Sequence, residues 1–142
     1  MSVKQISVFI ENKTGKLAEV TKFIAENNIN MKALSIADTH DFGILRIICD
    51  NTAFAAETLK NGGYVVTTTD VLAVEITDKP GSLSKILEVL ADAGVFVEYT
   101  YAFLSVKNEG HAYMIFRVDD NNLAAAALVA EGFNVAQHES LF

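Results

Sequence analysis

The sequence predicts an α+β chain built from two successive βαββαβ units. Asn12, Lys13, Thr14, Gly15, Lys16 and Leu17 follow an apolar, strand-like run and precede an amphipathic helical pattern. Asp78, Lys79, Pro80, Gly81, Ser82 and Leu83 stand in the same context one repeat later. Gly15 and Gly81 are 66 positions apart and the order of elements around each is the same, which marks an internal duplication. The third observation is compositional. With 142 residues, 51% of them hydrophobic, the chain can bury a real core, and halves of about 70 residues lie near the lower size for independent folding. The division expected is residues 1–70 and 71–142.

In the first copy, Gln5 to Glu11 reads as a strand with Ile6, Val8 and Ile10 on one face. Leu17, Val20, Phe23 and Ile24 recur at helical spacing, with Glu19, Lys22 and Glu26 opposite and Asn27 and Asn28 as a stop. Ile29 to Ala37 and Phe42 to Cys49 are strands joined by the polar turn Asp38 to Asp41. Asp50 or Asn51 caps a short helix through Leu59 that ends at Asn61, Gly62 and Gly63. Tyr64 to Thr69, rich in β-branched residues, closes the copy as a strand.

The second copy repeats the order. Leu72, Val74 and Ile76 mark a strand, and Leu83, Ile86, Leu87 and Leu90 give a helical stripe that Gly94 closes. Val95 to Leu104 and His111 to Val118 form a hairpin about a turn at Lys107 to Gly110. Asn121 or Asn122 caps the alanine-rich helix Leu123 to Ala130, and Phe133 to His138 is the closing strand. Between the copies, Tyr64 to Ile76 contains neither Gly nor Pro, so the last strand of one copy is expected to run almost directly into the first of the next, with a fixed relative orientation. Split βαββαβ units form four-stranded antiparallel sheets with both helices on one face, the ferredoxin-like arrangement.

Several functions are disfavoured. A formal charge of −7 and a pI near 4.8 oppose binding to phosphate backbones, so no nucleic-acid partner is expected. The apolar run Val8 to Ile10 is too short for a signal-peptide core or a membrane span, and a cytoplasmic protein with no membrane partner is the expectation. The one cysteine, Cys49, lies in an apolar run and reads as a buried strand thiol. His40, His111 and His138 lack metal-ligand spacing, so no metal and no cofactor are called. No serine sits in a nucleophile-elbow context, and Glu75, Glu98 and Glu109 show no acid–base spacing. No catalytic residue is assigned. Tyr99, Tyr101 and Phe103 share one strand face and read as packing residues.

The strand, the Asn/Asp-x-x-Gly-x-Leu turn, the helix and the duplicated order resemble the ACT domain, over nearly the whole chain and in two copies. The resemblance implies a regulatory, non-catalytic module that binds amino acids at the interface between paired domains, touching the first loop and the start of the second strand. A stand-alone tandem pair of this kind is similar to small ACT proteins proposed to sense amino acids. The partners implied are a small-molecule amino acid, a second copy in a homodimer and an enzyme under its regulation. A protein-interaction module without a small-molecule ligand is the competing expectation.

Loop chemistry agrees with that implication. A helix start offers unsatisfied N–H groups and partial positive charge suited to a carboxylate, and Gly15 and Gly81 allow close approach to the backbone. Asn12 and Asp78 offer side-chain oxygens for an α-amino group. Asn30 follows Asn12 by 18 residues, a spacing at which some amino-acid-binding ACT domains carry a second Asn, whereas Phe96 stands there in copy two. The expected ligand contacts are therefore Asn12 to Leu17 with Asn30 and Met31, and a second set from Asp78 to Leu83.

Overall fold

The computed structural model describes residues 2–105, 107 and 109–142. The chain divides into two compact units, Lys4–Thr69 and Asp70–Phe142, the latter grouped with the first residues of the chain. In chain order the elements are β1 (Val3–Glu11), α1 (Lys16–Glu26), β2 (Met31–Asp38), β3 (Phe42–Cys49), α2 (Thr52–Asn61), β4 (Val65–Thr77), α3 (Ser82–Asp92), β5 (Val97–Leu104), β6 (His111–Val118), α4 (Asn121–Ala130), β7 (Val135–Ala136) and a 3₁₀ turn, His138–Leu141. The closing strand of the first copy and the opening strand of the second form one element, β4, of 13 residues.

In the first unit the strand order is β2-β3-β1-β4. β1 pairs antiparallel with β3, Ile6 opposite Ile47 and Glu11 opposite Phe42, and β2 pairs antiparallel with β3 through Leu34 and Ile47. Alternation sends Ile6, Val8, Leu45, Ile47 and Cys49 to one face, where they meet Val20 and Ile24 of α1 and Ala55 and Leu59 of α2 in one buried core. Both helices thus cover the same face of an antiparallel sheet, as the sequence pattern predicts. The stop after α1 is also as expected: Asn27 is the C-cap and Asn28 adopts φ 54°. The polar break after β2 is a tight turn in which the Thr39 amide and hydroxyl both donate to the Phe42 carbonyl, at 2.7 and 2.8 Å.

The second unit repeats the plan, with strand order β5-β6-β4 and β7 paired to the free side of β4. Leu72, Val74, Met114, Phe116 and Val118 face Ile86 and Leu90 of α3 and Ala124, Ala125 and Leu128 of α4. Small alanines let α4 lie close, so its burial comes from proximity rather than bulk. On the other face Phe103 stacks on Tyr113 at 5.4 Å and Tyr99 on Tyr101 at 6.5 Å, a packing role for these aromatics. The β5–β6 turn expected at Lys107 to Gly110 includes Asn108, which lies outside the described residues.

Two local expectations are corrected. The α4 cap is Asp120, whose carboxylate accepts the Leu123 amide at 3.0 Å; Asn121 instead donates its side-chain amide to the Asp70 carbonyl at 3.1 Å. The closing strand is also shorter than Phe133 to His138. Only Val135 and Ala136 pair with β4, preceded by an Asn134 carbonyl that takes the Glu75 amide, and the chain then turns to bury Leu141.

Cys49 is wholly inaccessible, and burial, reinforced by the nearby Asp50 charge, pushes its thiol up to about 11 from 9.0. Its protonated form is favoured in the fold, so stability is full below pH 9 and falls as pH rises toward 11. Alkylation of Cys49 at pH 8 is expected to be slow in the native protein and fast in urea; equal rates would contradict a sealed thiol. Gly62 ends α2 with ordinary helical dihedrals, yet a Cβ there would overlap the ring of Phe23. Gly62→Ala is therefore expected to lower stability by about 1–3 kcal/mol, read from urea unfolding, through overpacking rather than backbone strain.

Candidate functional site

The two glycine-led loops have the same shape. Gly15 sits at φ 88°, ψ −13° and Gly81 at φ 87°, ψ −8°, the left-handed region that an L side chain rarely occupies. Four backbone hydrogen bonds recur at matched positions. The Asn12 amide donates to the Asp41 carbonyl at 3.0 Å and the Asp78 amide to that of Gly110 at 2.9 Å, hanging each loop on the neighbouring hairpin. Lys13 donates to Glu11 and Lys79 to Thr77, both at 2.9 Å, and Lys16 to Lys13 and Ser82 to Lys79, both at 3.2 Å. The helices then begin with Glu19 donating to the Gly15 carbonyl and Lys85 to that of Gly81.

Neither α1 nor α3 has a side-chain N-cap. Their counterparts do: Asn51 caps α2 by accepting the Phe54 amide at 3.1 Å, and Asp120 caps α4. Each glycine-led helix therefore starts without a side-chain acceptor for its first-turn amides, next to an αL residue with no atom within 4 Å of where its Cβ would be.

The side chains around the two helix starts differ. At the first, Lys13 lies 3.0 Å from Glu11 and Lys16 lies 3.4 Å from Glu19. The hydrogen bond and charge of Lys13, with help from Lys16, hold the Glu11 carboxyl below its ordinary range. The Asn12 amide side chain reaches toward the Thr39 carbonyl at 3.5 Å. At the second, Thr77 stands where Glu11 does and its hydroxyl lies 3.1 Å from that of Ser82. Lys79, Pro80, Gly81 and Ser82 border a groove of about 1190 Å³ that continues along α3 to the loop after α4.

Asn30 and Met31 are not brought to the first loop within the unit. Glu11 pairs with Phe42 and Asp38 with Gly43, so the loop lies at the β2–β3 turn, whereas Met31 pairs with Cys49 at the other end of the strand. Seven residues of extended chain place the two groups roughly 23 Å apart. Asn30 is exposed, with its carbonyl accepting the Asp50 amide at 3.2 Å. Loop spacing in sequence cannot show this separation; strand direction does, because β2 returns toward the turn that β1 reaches.

His40 is exposed and His111 and His138 are half-buried, and among the described residues no group of three His, Cys, Asp or Glu side chains forms a metal-binding cluster. No helix in the described residues is long and apolar enough to cross a membrane.

Two α+β units with helices on one sheet face, each opened by a glycine-led loop after its first strand, have the architecture of a pair of ACT domains. A family model described as "ACT domain pair" matches residues 1–142, and the chain belongs to that family. It is similar to protein BT0572 from Bacteroides thetaiotaomicron, with 38% identity, TM-score 0.91, and 99% of this chain and 96% of that one covered. It also resembles the regulatory subunits of aspartate kinase from Thermus thermophilus (18% identity, TM-score 0.64, 90% and 89% covered) and Thermus flavus (21%, 0.65, 89% and 88%), which show the shared fold. No curated protein matches the chain significantly.

Because nothing lies near the missing Cβ of Gly81, Gly81→Ala is expected to cost only the left-handed dihedral, roughly 1–2 kcal/mol. Urea unfolding should show that loss with an unchanged m-value, while an unaltered midpoint would contradict the conformation assigned to the turn.

Proposed function

We propose that this ACT domain pair is a non-catalytic regulatory protein that binds a free amino acid. The observation that carries the reading is the twice-repeated helix start, uncapped and glycine-led, in a chain whose other two helices are capped by their own side chains. A carboxylate satisfies such amides and the positive end of the helix dipole. The fold is shared with structures described as regulatory subunits of aspartate kinase, which suits a regulatory role with an enzyme as its target.

In this reading Asn12 to Leu17 and Asp78 to Leu83 seat carboxylates in residues 1–70 and 71–142 respectively. Asn30 and Met31, lying at the far end of their own unit, serve a ligand held by the loop of another ACT domain. A homodimer provides further domains of that kind. Edge strand β2 suits such pairing, because Leu34 and Ile36 remain 41% and 42% exposed along it. Binding that favours one arrangement of the domains over another transmits occupancy to the regulated enzyme. The proposed setting is the cytoplasm.

The same exposed edge favours a second reading, an interaction module that docks on a protein without any small ligand. A thermal-melt screen against the twenty amino acids separates the two. A ligand at about one hundred times its dissociation constant adds about 2.7 kcal/mol and should raise the midpoint by several degrees. Gly15→Asp and Asn30→Ala are expected to weaken that ligand without unfolding the protein. A flat panel would favour the interaction module, and unchanged affinity in both variants would reject the first-loop site.

A further inference from the structure

The two copies differ along their free edge strands, β2 in the first unit and β5 in the second. Leu34 and Ile36 of β2 lie opposite Ile47 and Leu45, residues of the helix-covered face, yet both remain exposed. The matching residues of β5, 66 positions on, are Thr100 and Ala102. On the other face of the strand the small Ala33, Ser35 and Ala37 match Tyr99, Tyr101 and Phe103.

The β2–β3 hairpin closes with the Thr39 amide on the Phe42 carbonyl, so these two residues form a hydrogen-bonded pair. Pairs of that kind alternate along an antiparallel ladder, which assigns Ala37 and Ser35 to bonds with Ile44 and Arg46. The N–H and C=O groups of Leu34, Ile36 and Asp38 therefore point away from β3, to the open side. Along that side the run Lys32, Ala33, Leu34, Ser35, Ile36, Ala37 and Asp38 is complementary to its own reverse: turned about Ser35, Lys32 meets Asp38, Ala33 meets Ala37 and Leu34 meets Ile36. Neither Lys32 nor Asp38 has an ion-pair partner among the described residues.

We propose that β2 pairs antiparallel with β2 of a second copy of this chain about a two-fold axis at Ser35, setting Lys32 against the partner's Asp38 and Leu34 against the partner's Ile36. The proposal rests on the homodimer of the reading above and gives it an edge, a register and an axis. In this register the outward groups of Leu34 bond those of the partner's Ile36, and the opposed charge pair occurs twice. Lys32 stands at a bulge between Met31 and Ala33, and the length of its side chain covers that offset. The neighbouring registers of the same bonding phase set Asp38 against the partner's Leu34 or the partner's Asn30, and no opposite charges meet. β5 offers no such match, because turning it about Tyr101 sets Glu98, already 3.0 Å from Arg117, against Leu104. The partner's Asn30 comes to lie opposite His40, in the turn whose Asp41 carbonyl accepts the Asn12 amide, so each first loop is completed by the other chain.

Light scattering on the full chain across a concentration series tests it, on the natural sequence, Lys32→Asp, Asp38→Lys and the double variant Lys32→Asp/Asp38→Lys. The natural chain should be dimeric. Each single reversal opposes like charges twice and should weaken the dimer about tenfold or more, and the double variant should restore it. Cross-linking keeps the test valid if a charge variant does not fold. The axis pair is not hydrogen-bonded and holds its Cα atoms about 4.5 Å apart, within disulfide range, so Ser35→Cys should cross-link on mild oxidation. Ala37→Cys, about 13 Å from its copy, should not, and the native Cys49 is buried. A natural chain that stays monomeric at every concentration overturns the pairing and the homodimer, while a melting response to an amino acid would still sustain the sensor. A dimer indifferent to both reversals, with Ser35→Cys not cross-linked, overturns the β2 edge alone. Cross-linking of Ala37→Cys as fast as Ser35→Cys overturns the register. A dimer that follows every variant beside a flat amino-acid panel supports the pairing and overturns the sensor.

Discussion

The turn from first strand to first helix is the constraint on which each unit depends. A left-handed glycine lets the chain leave the sheet and begin a helix within a few residues, so that the helix lies back across the face its strand helps to build. Backbone hydrogen bonds to the hairpin turn, from Asn12 to Asp41 and from Asp78 to Gly110, fix where that reversal happens. Because the residue at the cap is glycine, no side chain competes for the first amides. The requirement that folds the unit and the property that suits it to an anion are the same requirement.

Duplication then let the copies diverge without disturbing the frame. Cores of closely similar composition hold both sheets, Ile6, Val8, Leu45 and Ile47 in one and Leu72, Val74, Met114 and Phe116 in the other. Outside the cores the matched positions part company. Glu11 becomes Thr77, releasing the second-loop lysine from the ion pair that engages Lys13. Leu34 and Ile36 become Thr100 and Ala102, exchanging an apolar strand edge for one of smaller side chains. A pair of domains whose frames agree and whose surfaces disagree is suited to two different contacts, one for each copy.

Much of this was legible in the chain. Strands β3 and β6 occupy Phe42–Cys49 and His111–Val118 as the apolar runs between polar turns predict, since both limits are set by local chemistry. The repeat at Gly15 and Gly81 revealed the family and the loop geometry together. What misled was whatever depended on a distant partner. Phe133 to His138 read as a strand, but strand length follows the edge available on β4, which β7 engages only at Ala73 and Val74. Asp120 caps α4 because the Asp70 carbonyl recruits Asn121, a contact across 51 positions. The 18-residue spacing of Asn12 and Asn30 carries no distance, and strand direction puts the two at opposite ends of β2.

Backbone amide NMR during titration with the amino acid that raises the melting point tests the central claim most directly. The account predicts that the largest shifts fall on the open amides that begin α1 or α3, Leu17 and Ala18 or Leu83 and Ser84, while the capped starts of α2 and α4 stay still. Shifts confined to other surfaces, with both glycine-led helix starts unmoved at saturation, would contradict it.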